Sequence, residues 1–428
     1  MVEAGVLTLQ GVVQHYDWGG YDFIPDLLEM ENANRKPFAE LWIGAHAKAP
    51  SIVELADGPE PLDELIAEAP DAILGQEANA HFAGRLPYLF KIIDAHKMLS
   101  IQAHPTLAQA RLGFARENAE GISLEASCRN YRDDNHKPEI GVALTEFWML
   151  HGFRPLEQIA ESFSATPELS ALMPGFPQRL AQAGDWAGHH DHEARRELLR
   201  ELYSNVMTMP QEQVDHLLNG LLVRLLAKPL TDKNSPDYWA LRAALNFPLP
   251  GGHRDRGIFS VYLLNLVHLL PGQGTFQSAG VLHAYLEGVN VELMANSDNV
   301  LRGGLTTKHV DVPELLNILT FEGGTPNVFS GERVSSQEYV YRTPAEEFEL
   351  SRIALAPHSR YAGDAPYGPK ALLVLHGSCT VTSAGKCLSL RRGSIAFVPC
   401  GTQFVMETEA ADLVVFQAGL PRHARGVA

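Results

Sequence analysis

The chain has 428 residues, of which 45% are hydrophobic and 20% are charged, values typical of a soluble globular protein with two or three domains. Its formal net charge of −17 argues against binding to nucleic acid or to an anionic membrane, because both need a basic face. An anionic substrate would need a local basic cluster. There is no secretory signal pattern, no apolar run near the roughly 18 residues of a membrane span, and no CxxC pair. We expect a cytoplasmic protein, most simply a monomer.

The predicted elements change period twice along the chain. Short β-like runs fill the part before about residue 154, with ELWIGAH, YLFKII, MLSIQAH and FWMLHGF as examples. From about Pro155 to Pro250 the apolar residues recur at helical spacing, and Thr208 with Gln211 has the form of a capping box. The β-like pattern returns at Gly257 and continues nearly to the end. The sequence therefore predicts a mainly β protein with an α-helical insertion.

The stretch MLSIQAHP, residues 98–105, has an unusual polar face. Alternate side chains of a strand point to opposite faces, so Leu99, Ile101 and Ala103 would face a core. The same alternation places Gln102 and His104 together on the other face. An amide and an imidazole aimed at one point of an apolar neighbourhood indicate a shared partner.

A nine-residue repeat lies within the returning β pattern. GQGTFQSAG runs from Gly272 to Gly280, and GSIAFVPCG runs from Gly393 to Gly401. The second copy fits G-x5-P-x-G, a turn signature of cupin barrels. Aligning the glycines places His283 opposite Phe404, which predicts two related barrels, one with a metal-capable histidine and one without.

Polar side chains recur at four places in strand-like apolar settings. A lone buried histidine or an exposed Glu–Lys pair needs no special function, but several buried polar groups need a common partner, and a divalent metal is one. Imidazole nitrogens, a carboxylate and an amide oxygen form a donor set suited to zinc. The histidine-rich GHHDHE, residues 188–193, lies in a polar segment, and we interpret it as a solvated loop or helix start. The four places are Gln102 with His104, Lys137 with Glu139, His283 with Glu292, and the segment that holds Asp298, Arg302 and Lys308.

Several segments resemble the type I mannose-6-phosphate isomerases. They are YDWGG, PFAELWIGAH, LSIQAHP, NHKPEI and HAYLEGVNVELMANSDNVLRGGLTTKHVDV, and together they extend from Tyr16 to about Leu316. The resemblance implies two cupin (jelly-roll, double-stranded β-helix) barrels and a helical domain. The implied divisions are residues 1–154 with 255–330 for the catalytic barrel, 155–254 for the helical insertion, and 331–428 for a metal-free C-terminal barrel.

The resemblance also implies roles for individual residues. One Zn²⁺ per chain would be held by Gln102, His104, Glu139 and His283. Arg302 matches the family's essential arginine, and Glu292 is the candidate for proton transfer, with Lys137 as the alternative. The other residues that match the family's pocket are Trp18, Glu40, Lys91, Ser100, Asp298 and Lys308. Two departures, Leu282 and Thr307 where the family usually has proline, affect local loop geometry and no functional side chain.

The implied activity is the interconversion of mannose 6-phosphate and fructose 6-phosphate through a cis-enediol, within the carbohydrate metabolism that supplies GDP-mannose. Lys91, Ser100, Lys308 or Arg302 would hold the phosphate. The alternatives are an isomerase of an unphosphorylated sugar, a non-catalytic cupin that binds sugar or metal, and a metal-dependent hydrolase or oxygenase. An oxygenase would favour two histidines and one carboxylate with open positions, whereas Gln102 supplies a fourth ligand.

Overall fold

The computed structural model describes residues 5–183, 189–227 and 229–421. It is mainly β with helices, as the sequence predicts. Within the described residues, no helix combines the length and apolar character needed to cross a membrane.

The part of the chain before Phe153 contains nine strands and five helices, most of them short. Its strands are β1 (Leu7–Gln10), β2 (Val12–Gln14), β3 (Glu40–Gly44), β4 (Ile52–Leu55), β5 (Gly58–Pro61), β6 (Tyr88–Ala95), β7 (Ile101–Ala103), β8 (Glu139–Ala143) and β9 (Phe147–Phe153). Its helices are α1 (Phe23–Leu27), α2 (Leu62–Glu68), α3 (Pro70–Leu74), α4 (Gln76–His81) and α5 (Leu107–Ala119). The strand predicted over residues 98–104 is shorter than expected, because only Ile101–Ala103 forms ladder pairs, while Leu99 and His104 make single backbone hydrogen bonds.

A run of helices follows, and the first five lie in the predicted helical stretch. The helices are α6 (Leu156–Ala165), α7 (Phe176–Gln182), α8 (His189–Thr208), α9 (Gln211–Leu226), α10 (Pro236–Asn246) and α11 (Gly257–Leu263), with 3-10 turns at Pro167–Ala171 and Pro250–Gly252. The sixth, over residues 257–263, lies where the sequence predicted that the β pattern returns, so that prediction is wrong until Leu264. All seven of its residues are buried against the helical core, and a short, mostly apolar run does not distinguish a buried helix from a strand.

The predicted capping box at Thr208 is wrong: Thr208 ends α8, its hydroxyl donates to the Ser204 carbonyl at 2.8 Å, and Pro210 precedes α9. Of the GHHDHE segment, Gly188 and the side chains of residues 189–191 lie outside the described part of the chain.

The described part of the chain from residue 264 to residue 421 forms strands and one helix. Its elements are β10 (Leu264–Leu269), β11 (Gln273–Gln277), β12 (His283–Ala295), β13 (Leu301–Gly304), α12 (Val312–Ile318), β14 (Phe329–Ser330), β15 (Glu332–Arg333), β16 (Glu338–Tyr341), β17 (Glu349–Leu355), β18 (Arg360–Asp364), β19 (Lys370–His376), β20 (Ser378–Ser383), β21 (Lys386–Arg391), β22 (Ile395–Val398), β23 (Gln403–Glu407) and β24 (Leu413–Gly419).

The strands form three antiparallel sheets. The eleven-stranded sheet has the order β14-β11-β8-β12-β6-β3-β2, and β9 with β10 and β7 with β13 join it through β12. A nine-stranded sheet has the order β15-β16-β17-β24-β19-β22-β1-β4-β5, so three N-terminal strands pair within a sheet of C-terminal strands. The third sheet, β18-β23-β20-β21, has four strands.

Apolar cores hold these sheets together. One core, with Phe90 and Leu293 on one side and Phe397 and Phe416 on the other, lies between the eleven-stranded and nine-stranded sheets. The opposite face of the nine-stranded sheet packs on the four-stranded sheet. The helices α6 to α11 share a core with β7 and β9. The opposite face of β6, β8 and β12 lies outside this core, and it carries the polar residues of the site.

The two copies of the repeat have the same backbone form. Gly272, Gly280, Gly393 and Gly401 all have positive φ, between 75° and 87°, a region that favours glycine. Each pair of glycines encloses one strand, β11 or β22.

Candidate metal centre and active-site cavity

The strand β7 places three of the predicted site residues side by side. Gln102 lies opposite His283 on one neighbouring strand and opposite Arg302 on the other. Pairing across an antiparallel ladder brings such side chains to roughly 5 Å of one another. The polar face recognised in MLSIQAHP thus faces a histidine from β12 and an arginine from β13.

A cluster of three buried side chains could hold a metal. One ligand atom from each of His104, Glu139 and His283 lies within 4.8 Å of the other two. The His104 and His283 Nε2 atoms and Glu139 Oε2 are buried without a hydrogen-bond partner in the described structure. Because unpaired buried polar atoms cost free energy, this donor set fits a divalent cation such as zinc.

Backbone carbonyls orient both imidazole rings. His104 Nδ1 donates to the Asn299 carbonyl at 2.7 Å, and His283 Nδ1 donates to the Val281 carbonyl at 3.1 Å. This arrangement leaves each Nε2 as the free lone pair facing the cluster, as in metal sites whose ligands are fixed by outer partners. Burial lowers the pKa of His104 to about 4, so this ring is neutral at pH 7.

Glu139 is held ionised by its neighbours. Lys137 Nζ lies 2.8 Å from Glu139 Oε1. Burial would raise the pKa of the Glu139 carboxyl, but the charge of Lys137 opposes it, and that pKa lies well below its usual range. A carboxylate in this state is ready to ligate a cation.

A second carboxylate, Glu292, has the opposite electrostatic character. Burial and the charge of Glu139 raise the pKa of Glu292. Its Oε1 lies 3.3 Å from Lys91 Nζ, and its Oε2 accepts a hydrogen bond from the Tyr285 hydroxyl at 2.7 Å. Lys91 also lies 3.3 Å from Glu40 Oε2. Two buried carboxylates with pKa values pushed apart are the pattern of a charge-bearing group beside a proton-transfer group.

An irregularity in β12 lets His283 and Glu292 share one face. Their odd spacing of nine residues would place them on opposite faces of a regular strand. The register with β9 shifts between Tyr285 and Glu287, which adds one residue to the count. Gly288 follows at φ 114°, where a Cβ would lie 2.4 Å from the Glu146 carbonyl oxygen.

Asp298 and Trp18 lie at the edges of the site. Asp298 accepts a hydrogen bond from Lys48 Nζ at 2.6 Å and lies 3.4 Å from His46 Nε2. Burial would raise the pKa of Asp298, but the contacts with His46 and Lys48 lower it strongly. Trp18 stacks on Tyr16 with ring centroids 5.8 Å apart.

Three cationic side chains share one cavity. Arg132, Arg302 and Lys308 all line it. Burial lowers the pKa of Lys308, and the charges of Arg302 and Arg132 lower it further. Burial likewise lowers the pKa of Arg302, with Arg132 as the next cause. Cations held against one another in a chain of net charge −17 form the local basic cluster that an anionic substrate requires.

One cavity of about 640 Å³ joins these groups. Its lining includes all the predicted site residues except His104 and His283, which lie fully buried behind it. Those lining residues are Trp18, Glu40, Lys91, Ser100, Gln102, Lys137, Glu139, Glu292, Asp298, Arg302 and Lys308. A second cavity of about 630 Å³ lies beyond His151 and Leu282, and the metal-capable cluster does not open into it.

Sequence reasoning missed three residues of this site. Tyr285 lies two residues after His283, so strand alternation would have found it. Arg132 comes from the loop before NHKPEI, and no local pattern indicates its position. Asn299 lies between Asp298 and Arg302, but its contacts depend on a loop that is distant in sequence.

Comparison with known proteins agrees with this geometry. Residues 6–156 match the model of the phosphomannose isomerase type I catalytic domain. The chain is 35% identical to mannose-6-phosphate isomerase of Escherichia coli (strain K12), over 90% of this chain and 93% of that protein. It is 32% identical to the Homo sapiens mannose-6-phosphate isomerase, over 98% and 99%.

Solved structures show the same relationship. A mutant phosphomannose isomerase from Salmonella typhimurium has a TM-score of 0.84 at 31% identity, with 97% of this chain and 100% of that chain covered. A zinc-bound holo mannose 6-phosphate isomerase has a TM-score of 0.83 at 31% identity and the same coverage. The likeness extends over nearly the whole chain in sequence and in structure. The chain therefore belongs to the type I mannose-6-phosphate isomerase family.

Proposed function

We propose that this protein is a zinc-dependent aldose–ketose isomerase that interconverts mannose 6-phosphate and fructose 6-phosphate. The observation that carries the proposal is one cavity lined by Glu139 of the His104–Glu139–His283 cluster and by the cations Arg132, Arg302 and Lys308. The metal-capable cluster suits the carbonyl and hydroxyl oxygens of a sugar. The cations suit its phosphate.

The zinc ligands in this proposal are Gln102, His104, Glu139 and His283. Three of them bear the unpartnered buried atoms, and the register of β7 supports Gln102 as the fourth because it lies beside His283. When bound, zinc supplies Lewis acidity toward substrate oxygens.

Arg302, Lys308 and Arg132 hold the phosphate through charge-assisted hydrogen bonds. Within the described structure, Arg302 and Lys308 make no ion pair, whereas Lys91 already lies between Glu40 and Glu292. We therefore assign the phosphate to the cationic cluster and assign Lys91 to the orientation of Glu292. Arg302 is also the ladder partner of Gln102, which supports a role for its guanidinium in stabilising negative charge on the enediolate.

Glu292 moves the proton between C2 and C1 of the open-chain sugar. It takes the C2 proton as the cis-enediol forms and delivers a proton to C1 as the ketose forms. Its pKa, raised by burial, suits a group that must be deprotonated before the step and protonated after it. Lys91 and Tyr285 keep the carboxyl group in place through one contact to each oxygen. Lys137, bonded to Glu139, is the alternative acid–base group and a candidate for ring opening.

The experiment is a matched pair of variants on β12. Glu292→Gln should keep zinc at one per chain and should abolish both isomerisation and solvent deuterium incorporation at C2 of mannose 6-phosphate in D₂O. Glu287→Gln is the control, because Glu287 lies on the same strand but pairs with Lys233 and Arg242 outside the cavity. Continued exchange in Glu292→Gln would show that another group is the base.

The wild-type protein distinguishes the alternative functions. Turnover of mannose 6-phosphate, with unphosphorylated mannose far poorer, is the expected result. Zinc binding without turnover of either sugar would favour a non-catalytic sugar- or metal-binding cupin. Equal turnover of the two sugars would contradict the assignment of phosphate binding to the cationic cluster.

We also propose the finer architecture that the sequence predicts. The divisions are a catalytic cupin barrel of residues 1–154 with 255–330, a helical domain of 155–254 and a metal-free barrel of 331–428. The first and last of these divisions share one sheet, because β1 pairs with both β22 and β4. A monomeric state, a cytoplasmic location and a place in GDP-mannose supply remain predictions.

A further inference from the structure

Asn299 is fully buried and connects the metal cluster to a loop far away in sequence. Its carbonyl accepts the Nδ1–H of His104 at 2.7 Å. Its side-chain Oδ1 accepts the backbone N–H of Arg132 at 2.7 Å. Its Nδ2 donates to the carbonyls of Asp133 and Asn135, both at 2.8 Å. One residue therefore contacts a proposed zinc ligand and the backbone of a proposed phosphate ligand.

Asp133 completes the connection from the other side. Its Oδ1 accepts the Ser297 hydroxyl at 2.7 Å, and its Oδ2 accepts the Asp298 N–H at 2.7 Å. The Asn299 amide also lies 3.2 Å from Asp133 Oδ1. The Asn299 side chain thus bonds to the segment that carries Asp133, and the Asp133 side chain bonds to the segment that carries Asn299.

Both segments carry groups of the site. The first, residues 130–137, contains Arg132 and precedes Glu139, and the second, residues 297–300, contains Asp298 and precedes Arg302. Neither segment is part of a β-ladder, so beyond the last β8–β12 pair, Glu139 with Met294, side-chain hydrogen bonds join them. Asn299 and Asp133 make most of these bonds, and Asn135 and Ser297 contribute the others.

We propose that Asn299 and Asp133 are positioning residues that couple the zinc centre to the phosphate site. This inference rests on the proposed function. Asn299 contacts both the His104 ring and the Arg132 backbone. A displacement of either group therefore displaces the other. Outer partners of metal ligands typically change metal affinity or activity by about 10- to 100-fold when they are replaced.

Asn299→Asp tests the coupling. The substitution keeps the acceptor for Arg132, removes the amide donors, and sets a carboxylate against that of Asp133. We expect zinc affinity, measured by competition with a chromophoric chelator, to fall about 10- to 100-fold. The KM for mannose 6-phosphate should rise by about 10-fold, more than kcat falls, because the Arg132 segment is displaced. Asp133→Asn should change both quantities in the same direction and decides the test if Asn299→Asp does not fold.

Asn265→Asp is the matched control. Asn265 is also buried, and its amide donates to the carbonyls of His151, Gly152, Phe153 and Gly324, away from the His104 ring. It should lower the melting temperature and leave zinc affinity and KM near the wild-type values. Unchanged zinc affinity and KM in the Asn299 and Asp133 variants, or equal losses in the control, would overturn the coupling. A wild-type protein without zinc or turnover would instead overturn the proposed function.

Discussion

The two copies of the glycine-bracketed repeat share a backbone form and differ in what surrounds them. The strand β11 lies beside β8, so Gln277 is opposite Glu139, and the chain continues to His283. The strand β22 leads to Phe404, which is 2% exposed and packs among apolar side chains such as Val381 and Met406. Similar strands and turns thus enclose a polar interior in one region and an apolar interior in the other.

The difference shows what each interior requires. An apolar interior is stable through burial and close packing alone. A polar interior must supply a partner for every buried charge, and around Glu139 and Glu292 it does so with Lys137 and Lys91. Only the His104, Glu139 and His283 atoms are left for an external partner among the described ionisable side chains of that cluster. Buried atoms without a hydrogen-bond partner occur elsewhere in the described structure too, but the convergence of three metal-ligand atoms within 4.8 Å distinguishes this interior.

The largest expected effect is at the polar interior. His283→Ala removes a ligand atom and its orienting contact with the Val281 carbonyl, so we expect loss of stoichiometric zinc and of measurable turnover. Metal analysis of the purified variant with a coupled isomerase assay measures both. Full zinc content in this variant would contradict the ligand assignment and the contrast between the two regions.

The corresponding change in the apolar interior should affect stability instead. Phe404→Ala leaves a cavity in a well-packed core, and such substitutions cost about 3–5 kcal/mol in the free energy of unfolding. Zinc content and kcat should stay near the wild-type values, because Phe404 contacts the C-terminal core and no residue of the cavity. Chemical denaturation and metal analysis check this prediction, and it is refuted if zinc is lost while the protein remains folded.

A smaller effect concerns Asp94, a buried carboxyl group on β6 that does not line the cavity. Burial, and then the nearby Asp22, raises the pKa of Asp94 to about 6. The folded state holds this proton more tightly than the unfolded state, so stability falls as pH rises from about 4 to 6 and stays lower above that range. Asp94→Asn should therefore be more stable than the wild type by about 1–2 kcal/mol at pH 7 and no more stable at pH 4. Thermal unfolding at the two pH values measures the difference, and an equal shift at both would argue against titration of Asp94.

Local patterns in the sequence identified much of the site because each pattern acts within one strand or turn. Alternation placed Gln102 and His104 on one face, and the glycine spacing located β11 and β22. The helical period found the insertion. These features depend on residues a few positions apart, which any stretch of chain carries with it.

Other features depend on contacts between distant segments. The β12 irregularity decides that Glu292 shares the face of His283, and it arises where the strand changes partners from β9 to β6 and β8. The true capping box, Thr106 with Gln109, begins α5, whereas the Thr208 pattern lies at a helix end, because tertiary packing decides which local signal is used. The composition and spacing of the sequence thus determined the chemistry available to this protein. The tertiary structure alone decided which face of β12 carries Glu292, that Arg132 lines the cavity, and which groups Asn299 contacts. Each of these depends on hydrogen bonds or strand pairings that form only when distant strands and loops meet.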